Sequence, residues 1–159
     1  MLHITIICLG KLKESYWREA EAEYLKRLQA FAKVEIMELK EESFDEKDGP
    51  ETIKEKEARK IKDALNKAPK GYIVILDETG KSFSSNKLAE KVSTLENQGV
   101  SNITFVIGGP LGLTDEIRKK ANLLLSLSSF TFTHQMARVF LIEQLYRTFM
   151  INAGKKYHY

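Results

Sequence analysis

The sequence predicts a single α/β domain over residues 1–159, with a mostly parallel sheet flanked by helices. Three observations carry that prediction. Apolar, β-branched runs alternate with amphipathic segments along the whole chain. Three of those runs, Tyr72–Leu76, Ile103–Ile107 and Leu123–Leu127, are almost continuously apolar, the mark of strands covered on both faces. A chain of 159 residues with 43% hydrophobic and 30% charged side chains suits one core, and no linker, repeat or low-complexity tract divides it.

The elements follow in order. His3–Leu9 alternates and is rich in isoleucine, so it reads as a strand. Ser15–Phe31 sets Tyr16, Ala20, Leu25, Leu28 and Phe31 among charges, an amphipathic helix with Ser15 as its cap. Val34–Leu39 is a short strand. Lys40–Asp48 is acidic and polar, is closed by Gly49-Pro50, and reads as a mobile loop. From Glu51 onward Ile53, Ala58, Ile61, Ala64 and Leu65 recur at helical spacing, with Pro50 suited to the first turn. The strand Tyr72–Leu76 lies between Gly71 and Asp77, and a helix from Ser85 to Asn97 ends at Gly99. Ile103–Ile107 runs directly into Gly108-Gly109-Pro110-Leu111-Gly112-Leu113, after which Thr114 caps a short helix with Asp115 and Glu116 in its first turn. Leu123–Leu127 is the last strand, Ser128–Thr133 a polar and aromatic loop, and His134–Asn152 the final helix.

Composition excludes several classes. A long uncharged stretch, between Ala121 and Arg138, contains Ser, Thr, His and Gln and does not read as a membrane span. The first residues alternate and lack a basic leader and a cleavage site, so they read as a strand and not a signal peptide. One cysteine, Cys8, excludes an internal disulfide and fits a reducing cytoplasm; on an apolar strand it reads as a small buried hydrophobe. The three histidines have no ligand spacing, so no metal is expected. Net charge is +3, but it is unevenly placed: residues 1–100 carry 18 basic and 19 acidic side chains, and residues 101–159 carry 7 and 3. That bias permits a nucleic-acid partner without naming one.

Ligands of parallel sheets collect beyond the carboxyl ends of the strands. Three segments stand there: Leu76–Gly80, the glycine loop after Ile107, and Leu127–Phe132. Glycines let backbone approach a ligand, while the third loop offers amides, hydroxyls and ring faces suited to a purine and a ribose. The glycine loop lacks the G-x-G-x-x-G spacing, and no phosphate-binding G-x-x-x-x-G-K-[ST] occurs, so dinucleotide and P-loop sites are excluded. Asp77-Glu78 reads as a helix cap or solvated turn, since adjacent strand residues point apart. The final helix is apolar nearly all round, which predicts burial on two sides and a two-fold homodimer. Arg147 follows Glu143 by four residues and fits an ion pair; it equally fits a phosphate or carboxylate of a ligand, as does Arg138. Lys155, Lys156, Tyr157, His158 and Tyr159 combine phosphate-binding, stacking and titratable groups, a small RNA-contacting tail.

Phe105-Val106-Ile107-Gly108-Gly109-Pro110-Leu111-Gly112, Leu127-Ser128, Thr133-His134-Gln135-Met136-Ala137-Arg138, Glu143-Gln144-Leu145-Tyr146-Arg147 and the closing Tyr157-His158 together resemble the large-subunit rRNA pseudouridine N3-methyltransferases of the SPOUT class. The resemblance covers essentially the whole chain. It implies an α/β fold with a C-terminal trefoil knot, and S-adenosylmethionine held by Leu76, Gly108, Leu127, Ser128, Ser129, Phe130, Thr131 and Phe132. Gly109 and Gly112 of the glycine loop join that set. It further implies a cytoplasmic homodimer acting on a pseudouridine in helix 69 of 23S rRNA within the ribosome. Tyr157, His158 and Arg147 are then the expected catalytic group, with His134 as the competing base. Arg138, Lys155, Lys156 and Tyr159 are the expected RNA contacts. A SPOUT-class enzyme acting on tRNA and a non-catalytic RNA-binding protein of the same fold stand as alternatives.

Overall fold

A computed structural model of the chain describes residues 1–44 and 47–157. Strands and helices alternate strictly: β1 (Leu2–Leu9), α1 (Ser15–Leu28), β2 (Ala32–Leu39), α2 (Pro50–Lys67), β3 (Tyr72–Ser82), α3 (Ser85–Asn97), β4 (Asn102–Ile107), α4 (Asp115–Arg118), β5 (Leu123–Ser126) and α5 (His134–Asn152). The sheet has the order β2-β1-β4-β3-β5, and every pairing is parallel.

Strand order determines which face each helix covers. Crossovers between parallel strands are right-handed. The β1-to-β2 and β3-to-β4 steps move one way along the sheet and put α1 and α3 on one face. The β2-to-β3 and β4-to-β5 steps move the other way and put α2 and α4 on the opposite face. Alternation along each strand then fills two cores. Leu2, Ile4, Ile6 and Cys8 of β1 point to the α1/α3 side, whereas Ile7 and Leu9 meet α2 and α4. Burial pushes the Cys8 thiol up to about 11, as suits a packing residue.

Helix α5 lies on the first face, packed against both α1 and α3. Its apolar flanks are therefore largely spent inside the chain. A second copy is not required to explain them, and only an outer stripe that includes Phe140 remains at the surface. Side-chain caps fix the helix starts: Ser84, Thr114 and Thr133 accept the amides of Lys87, Ile117 and Met136. At the end of α5, Gly154 takes φ +64°, its amide reaches Ile151 O at 2.9 Å, and Lys155 N reaches Met150 O at 3.0 Å. This is a Schellman turn, and it directs the tail back alongside the helix.

Four expectations change in detail. Ser15 does not cap α1, whose N-cap position is Glu14 without a side-chain bond, and the helix stops at Leu28. β3 does not end at Leu76: Leu76 and Lys81 both pair with Leu125, and residues 77–80 intervene before the strand resumes. β5 ends at Ser126. Residues 45 and 46 of the expected mobile loop lie outside the described residues, but its flanks are tied to α2. Lys60 Nζ stands 2.7 Å from Glu42 Oε1 and 2.8 Å from Lys40 O, and Lys56 pairs with Asp48 at 3.2 Å.

Candidate active site

The 77–80 excursion of β3 and the loops after β4 and β5 meet at the carboxyl edge of the sheet, around a cleft of about 860 Å³. Leu76, Gly108, Gly109, Gly112, Leu127, Ser128, Phe130, Thr131 and Phe132 line it; Ser129 belongs to the same loop but not to the lining. The start of α5 closes one side with His134, Gln135 and Ala137.

Local chemistry shapes each wall. Ser126 Oγ donates to Ser128 O at 2.9 Å, and Phe130 N donates to Ser128 Oγ at 3.0 Å, which folds the third loop on itself. The amides of Ser129, Thr131 and Phe132 donate to no other group among the described residues. Phe130 is 79% exposed at the rim, and Phe132 packs edge-on against Phe140 with ring centres 5.2 Å apart. In the glycine loop, Gly112 has φ +78° and donates to Gly109 O at 3.0 Å. An added Cβ at Gly109 would stand 3.3 Å from the buried Glu57 carboxyl, which burial pushes above its ordinary range.

Asp77 proves to be an anchor and not a solvated turn. Its carboxylate is 6% exposed and accepts Arg118 Nε at 2.6 Å, Thr79 N at 2.9 Å and Thr79 Oγ1 at 2.5 Å. Burial works to raise its pKa, but the Arg118 guanidinium and the two Thr79 donors outweigh it and hold the carboxyl below its usual range. This pair, 41 residues apart, fixes the excursion against α4. No local sequence signal marks it.

His134 does reach the cleft. Its Nε2 lies 3.0 Å from Glu41 Oε1, and Gly10 packs so closely on both that it has no room for a Cβ. Arg147 and Tyr157 sit elsewhere. Arg147 pairs with Glu143 at 2.7 Å, its guanidinium lies 4.8 Å from the Tyr157 ring centre, and the Tyr157 hydroxyl donates to Glu143 Oε1 at 3.2 Å. Burial, hydrogen bonding with Tyr24 and the charge of Glu143 all raise the Tyr157 phenol, so it holds its proton at neutral pH. Thirteen residues of α5 separate Arg147 from His134, about 20 Å at 1.5 Å per residue. Lys155 and Lys156 are exposed at that same far end, with the Lys155 ammonium over the Phe31 ring. His158 and Tyr159 lie outside the described residues.

Arg138 is placed against expectation. It is 5% exposed, donates to both oxygens of Glu21 at 2.5 and 2.7 Å, and reaches Glu38 Oε2 at 2.6 Å. Its guanidinium joins α1, β2 and α5.

Among the described residues no group of three or more His, Cys, Asp or Glu side chains could hold a metal ion, and no helix is long and apolar enough to cross a membrane. Residues 2–158 match the family model described as "Predicted SPOUT methyltransferase". The chain is 44% identical to the ribosomal RNA large subunit methyltransferase H of Pelotomaculum thermopropionicum, over all of both chains. It is 44% identical to that of Lactobacillus johnsonii and 47% to that of Clostridium novyi, over 99% of each chain. A match this continuous takes in the sheet, all three walls of the cleft and the tail behind α5, and by it the chain belongs to the SPOUT methyltransferase family.

Proposed function

We propose that this chain methylates N3 of a pseudouridine in helix 69 of 23S rRNA, with S-adenosylmethionine as donor. The observation that carries the reading is the cleft, where loops distant in sequence converge at one sheet edge. The relatives' names, which specify a methyltransferase of large-subunit ribosomal RNA, support it.

The residues suit that donor. The cleft volume falls in the usual range of roughly 300–1,000 Å³ for small-molecule sites. Free amides at Ser129, Thr131 and Phe132 answer the polar edge of a purine, and Phe130 and Phe132 offer ring faces. Leu76, Gly108, Gly109, Gly112 and the 127–132 loop would hold the donor, which supplies a methyl group activated on a sulfonium. The protein's part is orientation, exclusion of water and removal of one proton from N3.

The proton has two candidate acceptors. His134 stands in the cleft beside Glu41. The tail group, Arg147, Tyr157 and His158, is the proposed catalytic set, in which protonated Tyr157 and Arg147 position the base and His158 takes the proton. Because Arg147 lies about 20 Å along α5 from His134, the tail serves the cleft of a second copy in a two-fold dimer. An exposed aromatic surface supports that dimer: Phe132 and Phe140 pack edge-on, and Phe130 stands open at the rim of the cleft. The knot belongs to the same proposal, since strand order alone does not define how the last segment threads.

Mass spectrometry of rRNA from a strain lacking this chain is the test. A methyl group lost from helix 69 and restored by the purified protein with S-adenosylmethionine is the expected result. Loss from tRNA, or no loss, refutes the assignment. If His158→Ala and Tyr157→Phe both methylate ribosomes at wild-type rates, the tail has no catalytic part. A monomer by sedimentation, with activity intact, removes the dimer.

A further inference from the structure

We infer that the β1–α1 connection is an RNA-contacting surface at the mouth of the cleft, with Lys11 and Lys13 on phosphates and Tyr16 stacked on a base. The inference rests on the proposed function for its substrate and on the following geometry for its place.

The connection is held rigidly. Gly10, at φ +89°, donates to Leu39 O at 2.8 Å, and Leu12 is buried as an anchor. Arg18 NH1 donates to the carbonyls of Leu12 and Lys13 at 2.9 and 2.7 Å. Lys13 N donates to Gln135 Oε1 at 2.8 Å, and a Cβ at Gly10 would stand 2.9 Å from His134 Nε2. Gln135 and His134 both line the cleft, so the connection forms part of its rim.

Charge then selects the partner. Lys11 and Lys13 are exposed, and among the described residues neither meets a carboxylate. Arg18 turns Nη1 to two carbonyls and, among the described residues, pairs with no carboxylate. The neighbouring acids are Glu14 and Glu19, both exposed, and half-buried Glu41, which is already engaged with His134. Across the sheet, with β4 between, the other rim carries exposed Glu78, which repels phosphate, while Asp77 is already matched by Arg118. A polyanion entering the cleft is therefore drawn to the β1–α1 side. Tyr16 adds a ring that is 60% exposed and braced edge-on by Trp17, with centres 5.2 Å apart. Lysines on a rigid turn beside an open aromatic face suit single-stranded or loop RNA.

The test is filter binding of 70S ribosomes over about 50–300 mM salt, comparing wild type with Lys11→Ala/Lys13→Ala and with Tyr16→Ala. Losing two phosphate contacts lowers the slope of log affinity against log salt by about 1.5. Losing the stacked ring weakens binding roughly tenfold with no change of slope. Calorimetry with S-adenosylmethionine should give unchanged affinity in all variants, because Lys13 meets the lining only through its main-chain amide, which alanine keeps. Slopes and affinities within about twofold of wild type overturn the inference, as does a wild type that shows no salt-dependent binding. Loss of the dimer at constant slope assigns the surface to subunit contact and also overturns it. Weakened binding by the variants, in a protein that transfers no methyl group, supports the surface while refuting the proposed reaction.

Discussion

Replacing Arg138 with Leu isolates the role the structure gives it. The substitution roughly conserves apolar volume and removes three charge-assisted hydrogen bonds, two to Glu21 and one to Glu38. The Glu38 side chain is 38% exposed and can turn to water, so its share is small, about 0–1 kcal/mol. The Glu21 side chain is 11% exposed and cannot, and a buried charge stripped of its partner costs about 3–5 kcal/mol. The expected total is therefore about 4 kcal/mol, or a fall in Tm of roughly 10 °C for a domain of this size. Urea unfolding followed by circular dichroism at neutral pH measures it. The double variant Arg138→Leu/Glu21→Leu should recover most of the loss, because an apolar pair can replace a buried ion pair. A single variant within about 1 kcal/mol of wild type, or a double variant no better than the single, refutes the reasoning. If the single variant instead stays stable and flattens the salt dependence of ribosome binding, Arg138 is an RNA contact after all.

Three further outcomes follow from the same geometry. Asp77→Asn should cost about 1–3 kcal/mol near neutral pH. Because the folded carboxyl lies below the ordinary value, its contribution is full above about pH 4 and is lost as pH falls through the folded value, so urea midpoints of variant and wild type converge in acid. Gly112→Ala meets no atom within 4 Å, so its cost is the backbone strain at φ +78° alone, about 1–2 kcal/mol. Calorimetry should show weakened S-adenosylmethionine binding in a folded protein. Gly154→Ala strains the Schellman turn by a similar amount and releases Tyr157 from Arg147. Limited proteolysis should then cut the tail faster, and methyl transfer should fall while S-adenosylmethionine affinity holds.

What could be read from the sequence was local. Tyr72–Leu76, Ile103–Ile107 and Leu123–Leu127 announce buried strands because each lies under helices on both sides, and burial is written residue by residue. The loops that end them are legible for the same reason. The rest depends on pairings made across the fold. Nothing in Lys81-Ser82 signals that β3 resumes after its excursion, since the cause is the Leu125 backbone on another strand. The apolar girth of α5 was legible, but what covers it depends on strand order, which sets α1 and α3 on the same face. Arg138 and its partners stand 117 and 100 residues apart, beyond any motif.

The charge of residues 101–159 shows why a guanidinium group does not announce its role. All three arginines there are matched to carboxylates: Arg118 to Asp77 and Asp115, Arg138 to Glu21 and Glu38, Arg147 to Glu143. The planar fork of arginine suits carboxylate and phosphate alike, so its presence on an apolar helix does not choose between a fold contact and a ligand. The lysines of the same region, Lys119, Lys120, Lys155 and Lys156, form no ion pair among the described residues. Hence the positive excess that reaches solvent is a lysine charge. Lys11 and Lys13, from a half of the chain that is almost neutral overall, belong to the same class of unmatched cation. For an RNA partner the relevant quantity is therefore the placement of unpaired lysines around the cleft, and net charge by segment hides it, because paired arginines and free lysines count equally in the sum.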